Sequence, residues 1–197
     1  MHPVLADAVF PLAEHVAAVS LKEAQVSPAA DTHGWNAQQV VEHLILSFRQ
    51  STDELQKRLK LDQSPSRSAS WLQWIIKIQV CVFHSMTRGV STSSSLRPRT
   101  YIPQDGPELA ARLCDEAELL NKTLAESRIA FGMRPCGYHP VYGPLRVEEW
   151  RVYHAVHCRH HMRQFDAAIA YAQNHPAEME QARAAALPLS KPLARNQ

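Results

Sequence analysis

Four of the chain's eleven histidines fall within eight residues, in the run VYHAVHCRHHMRQF that begins at Val152. Neutral imidazole is a good ligand for zinc, nickel, iron or copper. Two histidines at i and i+4 on a helix hold their ring nitrogens one turn apart, close enough to chelate one ion. His157 and His161 have that spacing. At about 100° of rotation per residue, His154, His157, His161 and Gln164 share one helix face with Trp150 and Ala168, His160 turns to its edge, and Arg159 and Arg163 point elsewhere. His154 and His161 stand two turns apart, roughly 10 Å along the axis, and make a poor direct pair. A third ligand must therefore come from another helix.

The elements that would position these residues are helical throughout. The chain has only six glycines, few alternating β-branched runs, many Ala, Leu, Gln and Glu residues, and no internal repeat, so it reads as nearly all α. A first helix is expected over Leu5 to Ala24. A second starts after Asn36, an N-cap with Gln39 three residues on as its capping-box partner, and runs to about Leu61. On its wheel, Val41, Leu44, Ile45, Phe48, Leu55 and Leu59 face one way, and Asn36, Gln39, His43, Ser47, Gln50 and Glu54 another. Periodicity leaves two placements for His43: lining a polar cavity between facing helices, or facing solvent.

A shorter helix over Trp71 to Met86 is apolar on nearly every side, which suits an element buried on several faces or lying at a subunit contact. Thr87 to Pro107, with Pro98, Pro103 and Pro107, reads as a long crossing connection; its Arg88, Arg97 and Arg99 could hold an anion or simply be solvated. Glu108 to Ile129 carries a bundle-helix stripe. Gly132 to Leu145 is a structured Gly/Pro-rich turn, and the last helix spans about Val147 to Asn174, ending at His175-Pro176. Residues 1–175 are expected to form the helical domain, and 176–197 a partly disordered extension without chemistry.

Composition removes several functional classes. Hydrophobic residues make up 45% and charged residues 20%, the balance of a packed domain rather than a disordered chain. A formal charge of +2 with scattered lysine and arginine argues against nucleic acid as a partner. No segment reads as a membrane span or an export signal. Cys81, Cys114, Cys136 and Cys158 form no CxxC pair and read as reduced thiols, pointing to a cytoplasmic protein.

Two stretches, WNAQQVVEHLI from Trp35 to Ile45 and HPVYGPLRVEEWRVYHAVHCRHHMRQFD from His139 to Asp166, together resemble the DinB/YfiT-like superfamily. The closer likeness is to a branch of unknown function with a histidine-proline, aromatic-glycine turn before a final helix ending in His-His-x-x-Gln-Phe. The resemblance implies an all-α four-helix bundle with a long connection between its second and third helices, here with one extra short apolar helix. It also implies one divalent metal ion, zinc or nickel ahead of iron, held by one histidine of the second helix and two of the last. Carried onto this chain, those ligands are His43, His157 and His161, with Gln164 hydrogen-bonding to a ligand from outside the coordination sphere. His139 in the turn could approach the metal or serve the turn itself, and His154 and His160 are expected around the site or at the surface.

Three neutral imidazoles leave a coordination position open, as in a catalytic site. The resemblance thus implies a metal-dependent enzyme: a thiol-dependent transferase acting with a low-molecular-weight thiol, or a hydrolase. Glu42 and Glu54 are the nearest helical candidates for the base that hydrolysis needs, and neither is well placed, which favours thiol transfer. Cys158 points off the ligand face and reads as a small buried residue. The alternative class is a non-catalytic metal-binding or metal-free helical module that could form a homodimer through Trp71 to Met86.

Overall fold

A computed structural model describes residues 1–27, 34–86, 93–98 and 102–179. Among the described residues the fold is carried by α1 (Pro3–Ala17), α2 (Leu21–Gln25), α3 (Ala37–Leu61), α4 (Trp71–Cys81), α5 (Gly106–Phe131) and α6 (Val147–Asn174). A 3₁₀ turn at Ser94–Leu96 lies in the connection before α5, and a two-stranded hairpin, β1 (Gly137–His139) and β2 (Gly143–Leu145), precedes α6. The fold is all-α in character, as the composition implies.

Local sequence explains most of the boundaries. Asn36 caps α3, its side chain accepting from the Gln39 N–H at 2.8 Å while Gln39 accepts from the Asn36 N–H at 3.0 Å. That reciprocal pair satisfies two donors the helix start would otherwise leave open. Asp105 caps α5 with a single bond, accepting from the Glu108 N–H at 2.9 Å, so α5 begins two residues earlier than Glu108 and takes Pro107 into its first turn, where a missing N–H costs nothing. The single first helix expected over Leu5 to Ala24 is two helices. Ser20 and Glu23 form a capping box of their own, and a new start there ends α1 at Ala17.

α1, α3, α5 and α6 make the bundle, with α3 and α1 each packed against both α5 and α6. Their directions follow from their bonds. Gln38, at the start of α3, donates to the Ile102 carbonyl and accepts from the Gln104 N–H just before α5, and Arg49 pairs with Glu116 at 2.6 Å further along both helices. α3 and α5 are therefore parallel. Ser51 meets His154, and His43 meets His157, so α3 and α6 are antiparallel. Two successive parallel bundle helices need a connection running the length of the bundle, and α4 and the 3₁₀ turn lie in the stretch between α3 and α5. Leu5, Leu12, Leu44, Phe48, Leu113, Leu120, Leu124 and Trp150 are buried between these helices.

α4 lies in that connection and is not enclosed. Val80 is buried and Ile76 packs on the core, but Trp71 is 75% exposed, Trp74 58% and the following Phe83 72%. Polar bonds dock its inner face: Gln73 donates to the Pro140 carbonyl at 2.9 Å, and Lys77 pairs with Glu149 at 3.1 Å. Burial on several faces, one of the two placements its composition suggested, is thus not what the single chain shows. The connection's Arg88 and Arg99, and the extension from residue 180 onward, lie outside the described residues.

Candidate metal centre

His43, His157 and His161 are brought together between α3 and α6, all three buried, with one ring nitrogen from each within 4.8 Å of the others. The antiparallel pairing of the two helices does this. Residues 43, 47, 51 and 54 of α3 recur every three or four positions, so they form one stripe. Position 43 meets 157, 47 meets 153 and 157, and 51 meets 154.

The nitrogens that face away from the cluster are engaged by the protein. His43 Nδ1–H donates to the Leu96 carbonyl at 2.9 Å, which leaves its Nε2 as a lone pair. His161 Nδ1–H donates to Gln164 Oε1 at 2.7 Å, with the same consequence. His157 Nδ1 lies 3.4 Å from the Ser47 hydroxyl, which also lies 3.3 Å from the Tyr153 hydroxyl. The Nε2 atoms of His43 and His157 are 3.2 Å apart. Two imidazoles sharing an ion at about 2.1 Å each would hold their nitrogens roughly 3.4 Å apart in tetrahedral geometry, so this pair is already at bonding separation. Rings pack around the cluster as well: Tyr153 stacks on His157 at 5.4 Å and 17°, and Trp35 lies 5.2 Å from His43.

Burial sets the protonation of the cluster. It pushes the His43 pKa down, holds His157 well below the usual imidazole range, and takes His161 down to about 3; the neighbouring imidazoles add to the last two effects. All three are neutral at physiological pH, the form that binds metal. Without an ion, the His43–His157 contact can close as a hydrogen bond from His157 Nε2–H, with Ser47 donating to Nδ1. Turning the Ser47 hydroxyl so that it accepts from His157 Nδ1–H would open the third lone pair.

The remaining histidines fall elsewhere. His139 Nδ1 accepts from the Val141 N–H at 3.1 Å, holding the hairpin turn, and its ring packs on Tyr142, Tyr153 and Trp150. His154 is fully buried between Phe48 and Trp150 and pairs with Ser51 at 3.0 Å. His160 is half-buried and receives a 3.5 Å bond from Gln164. Gln164 thus bridges His160 and His161. Glu54 is taken up by Arg58 at 2.8 Å and the Tyr138 N–H at 3.1 Å, and Glu42 accepts from Gln38 at 2.9 Å. Cys158 is buried, which pushes its thiol up to about 12.

Ser47, Tyr153, Trp35 and the Leu96 carbonyl surround the histidine cluster without having been singled out for that role by spacing. Ser47 and Trp35 could have been found from their nearness to His43 on the α3 stripe and at the motif's start. Nothing in the sequence marks a backbone carbonyl.

The model of the DinB superfamily matches residues 12–165. The chain belongs to the DinB superfamily. That span contains α3, most of α6 and all three clustered histidines, so the superfamily match and the histidine cluster concern the same part of the chain. A three-histidine cluster in a DinB-superfamily bundle fits a metal-binding protein. Among curated proteins and among solved structures, none matches the chain. Among the described residues, no helix is long and apolar enough to cross a membrane.

Proposed function

We propose that this DinB-superfamily protein is a divalent-metal-dependent enzyme of the thiol-transferase type, with His43, His157 and His161 as the metal ligands. The observation that carries this reading is the convergence of three buried neutral imidazoles whose outward nitrogens are engaged by Leu96, Ser47 and Gln164. Such orientation from outside the ligand set is how proteins fix tautomer and ring direction around a metal. Zinc or nickel suits three imidazoles best, and iron is third. When bound, the ion supplies Lewis acidity that lowers the pKa of a coordinated thiol.

The chain's own residues then bind and orient. Three neutral ligands leave the ion's charge uncompensated, and among the described residues no carboxyl group joins the cluster. Hydrolysis would need a base to take a proton from water, but Glu54 is held by Arg58 and Tyr138, and Glu42 by Gln38. Cys158, protonated and buried, is no nucleophile, so the thiol is a small molecule from outside. The four free cysteines suit a reducing compartment, the cytoplasm.

The second reading, a non-catalytic module that dimerises through α4, is favoured by one observation: the exposed Trp71, Trp74 and Phe83. Metal analysis of tag-free protein and a screen of small thiols against electrophilic acceptors separate the two. Metal at one per chain with thiol consumption supports the enzyme; protein that takes up neither zinc nor nickel overturns it.

A further inference from the structure

The three clustered imidazoles are not equally ready to coordinate, and the groups behind them set the difference. A neutral imidazole carries one N–H, and which nitrogen holds it is decided by the partners of the ring. Behind His43 stands the Leu96 carbonyl at 2.9 Å, which can only accept, so the His43 proton sits on Nδ1 and its Nε2 is a lone pair. Behind His161, Gln164 Oε1 has the same effect at 2.7 Å. Behind His157 stands the Ser47 hydroxyl at 3.4 Å, which can either donate or accept.

The contact between His43 and His157 then places the third proton. Their Nε2 atoms are 3.2 Å apart, a hydrogen-bonding separation at which two facing lone pairs would repel. Because His43 Nε2 has no proton, His157 Nε2 carries one and donates it to His43. His157 Nδ1 is left to accept from the Ser47 O–H. The bonds thus run in one direction, from Ser47 through His157 and His43 to the Leu96 carbonyl. A single proton on His157 Nε2 masks two of the three ligand atoms, its own nitrogen and the lone pair of His43, and it points a positive hydrogen at the place a cation would take. His161 Nε2 is not part of that chain.

Coordination needs both of the masked lone pairs, so the His157 proton must then be held on Nδ1. Ser47 is 2% exposed, and a buried N–H that loses its acceptor is costly. The separations from Ser47 Oγ to His157 Nδ1 and to the Tyr153 hydroxyl, 3.4 and 3.3 Å, are long for hydrogen bonds and leave the Ser47 O–H free to turn. Tyr153 can donate to Ser47 in one arrangement and accept from it in the other. We propose that Ser47 is the positioning residue on which metal uptake turns: donating to His157 Nδ1, it keeps two ligand atoms engaged with each other, and turning to accept from Nδ1–H, it frees both at once. The proposal rests on His43, His157 and His161 being the metal ligands.

Proton–nitrogen correlation NMR of the histidine rings, on the full chain stripped of metal and then loaded with zinc, tests it. The His157 signals are assigned by their loss in His157→Gln. His157 should be the Nε2–H tautomer in metal-free protein and the Nδ1–H tautomer with zinc, whereas His43 and His161 should be Nδ1–H in both. Ser47→Ala should weaken zinc about tenfold in a competition titration, and Ser47→Thr, which restores the hydroxyl, should recover most of that loss; circular dichroism checks that both are folded. Metal-free protein with His157 already in the Nδ1–H form overturns the proposal, and needs no variant. So does folded Ser47→Ala that binds zinc like the parent, or folded Ser47→Thr that binds no better than Ser47→Ala. If zinc shifts Nε2 of all three rings while the His157 tautomer stays the same, the ligands stand and the role of Ser47 falls. If zinc leaves those nitrogens unshifted, the ligand assignment falls and the proposal with it.

Discussion

At the scale of single residues, the account separates imidazoles that converge from imidazoles that merely share their helix face. His154 and His157 are three positions apart and both buried, yet only His157 reaches the cluster, because His154 is turned onto Ser51. His157→Ala should therefore abolish stoichiometric zinc binding, whereas His154→Ala should retain one zinc per chain; atomic absorption on dialysed protein reads both. Gln164→Leu removes the acceptor that holds the His161 ring and should weaken zinc affinity by about tenfold, at the lower end for such outer partners, in a competition titration with a chromophoric chelator. That His157 and His161 share a cluster was legible in the sequence because i, i+4 spacing on a helix sets their rings one turn apart, whereas periodicity left His43 with two placements. The partners were only partly so. Gln164 is a helix neighbour of His161, but the Leu96 carbonyl arrives from a distant turn that leaves no side-chain signature.

Among the elements, what matters is how α3 and α6 are held antiparallel while α5 lies along α3. The α5 start is pressed against the end of α1: a Cβ on Gly106 would stand 2.3 Å from the Val16 carbonyl oxygen and 2.5 Å from that of Val19. Both are backbone atoms, so the helices would have to separate. Gly106→Ala should destabilise the protein by about 3 kcal/mol, at the upper end for overpacking, measured as a lowered midpoint in urea. The start of α3 was legible from the capping pair Asn36–Gln39, whereas the equivalent pair Ser20–Glu23, which breaks the expected first helix in two, went unread. The hairpin before α6 was legible only as a turn. Its three-residue strands, Gly137–His139 and Gly143–Leu145, are too short for a period-two pattern to show. The exposure of α4 was not legible either, since an all-round apolar composition describes a buried helix and an uncovered one equally well.

At the scale of the molecule, five histidines among the described residues have their pKa lowered by burial, with His139 and His161 near 3, His154 and His157 well below the ordinary 6.5, and His43 also below it. The sign follows from linkage: below pH 6.5 the unfolded chain binds protons that the folded chain refuses, so stability falls with falling pH from about 6.5 towards 3. His161 alone corresponds to about 2 kcal/mol by pH 5. The metal-free protein should therefore melt at a clearly lower temperature at pH 5 than at pH 7.5, and bound metal should steepen the loss because protons compete for the same nitrogens; a flat profile across that range in calorimetry would count against buried neutral imidazoles. The exposed apolar face of α4 argues at the same scale. If two copies meet there, Trp74→Glu should convert a dimer into a monomer in analytical ultracentrifugation, and a parent protein that is already monomeric would remove that interface.

The central claim concerns a point in space, and a crystal of protein grown with zinc tests it most directly. Anomalous diffraction at the zinc edge should show a single strong peak about 2.1 Å from the Nε2 atoms of His43, His157 and His161, with Nδ1 of His43 still on the Leu96 carbonyl. A peak on other residues, or none between α3 and α6, would contradict the account.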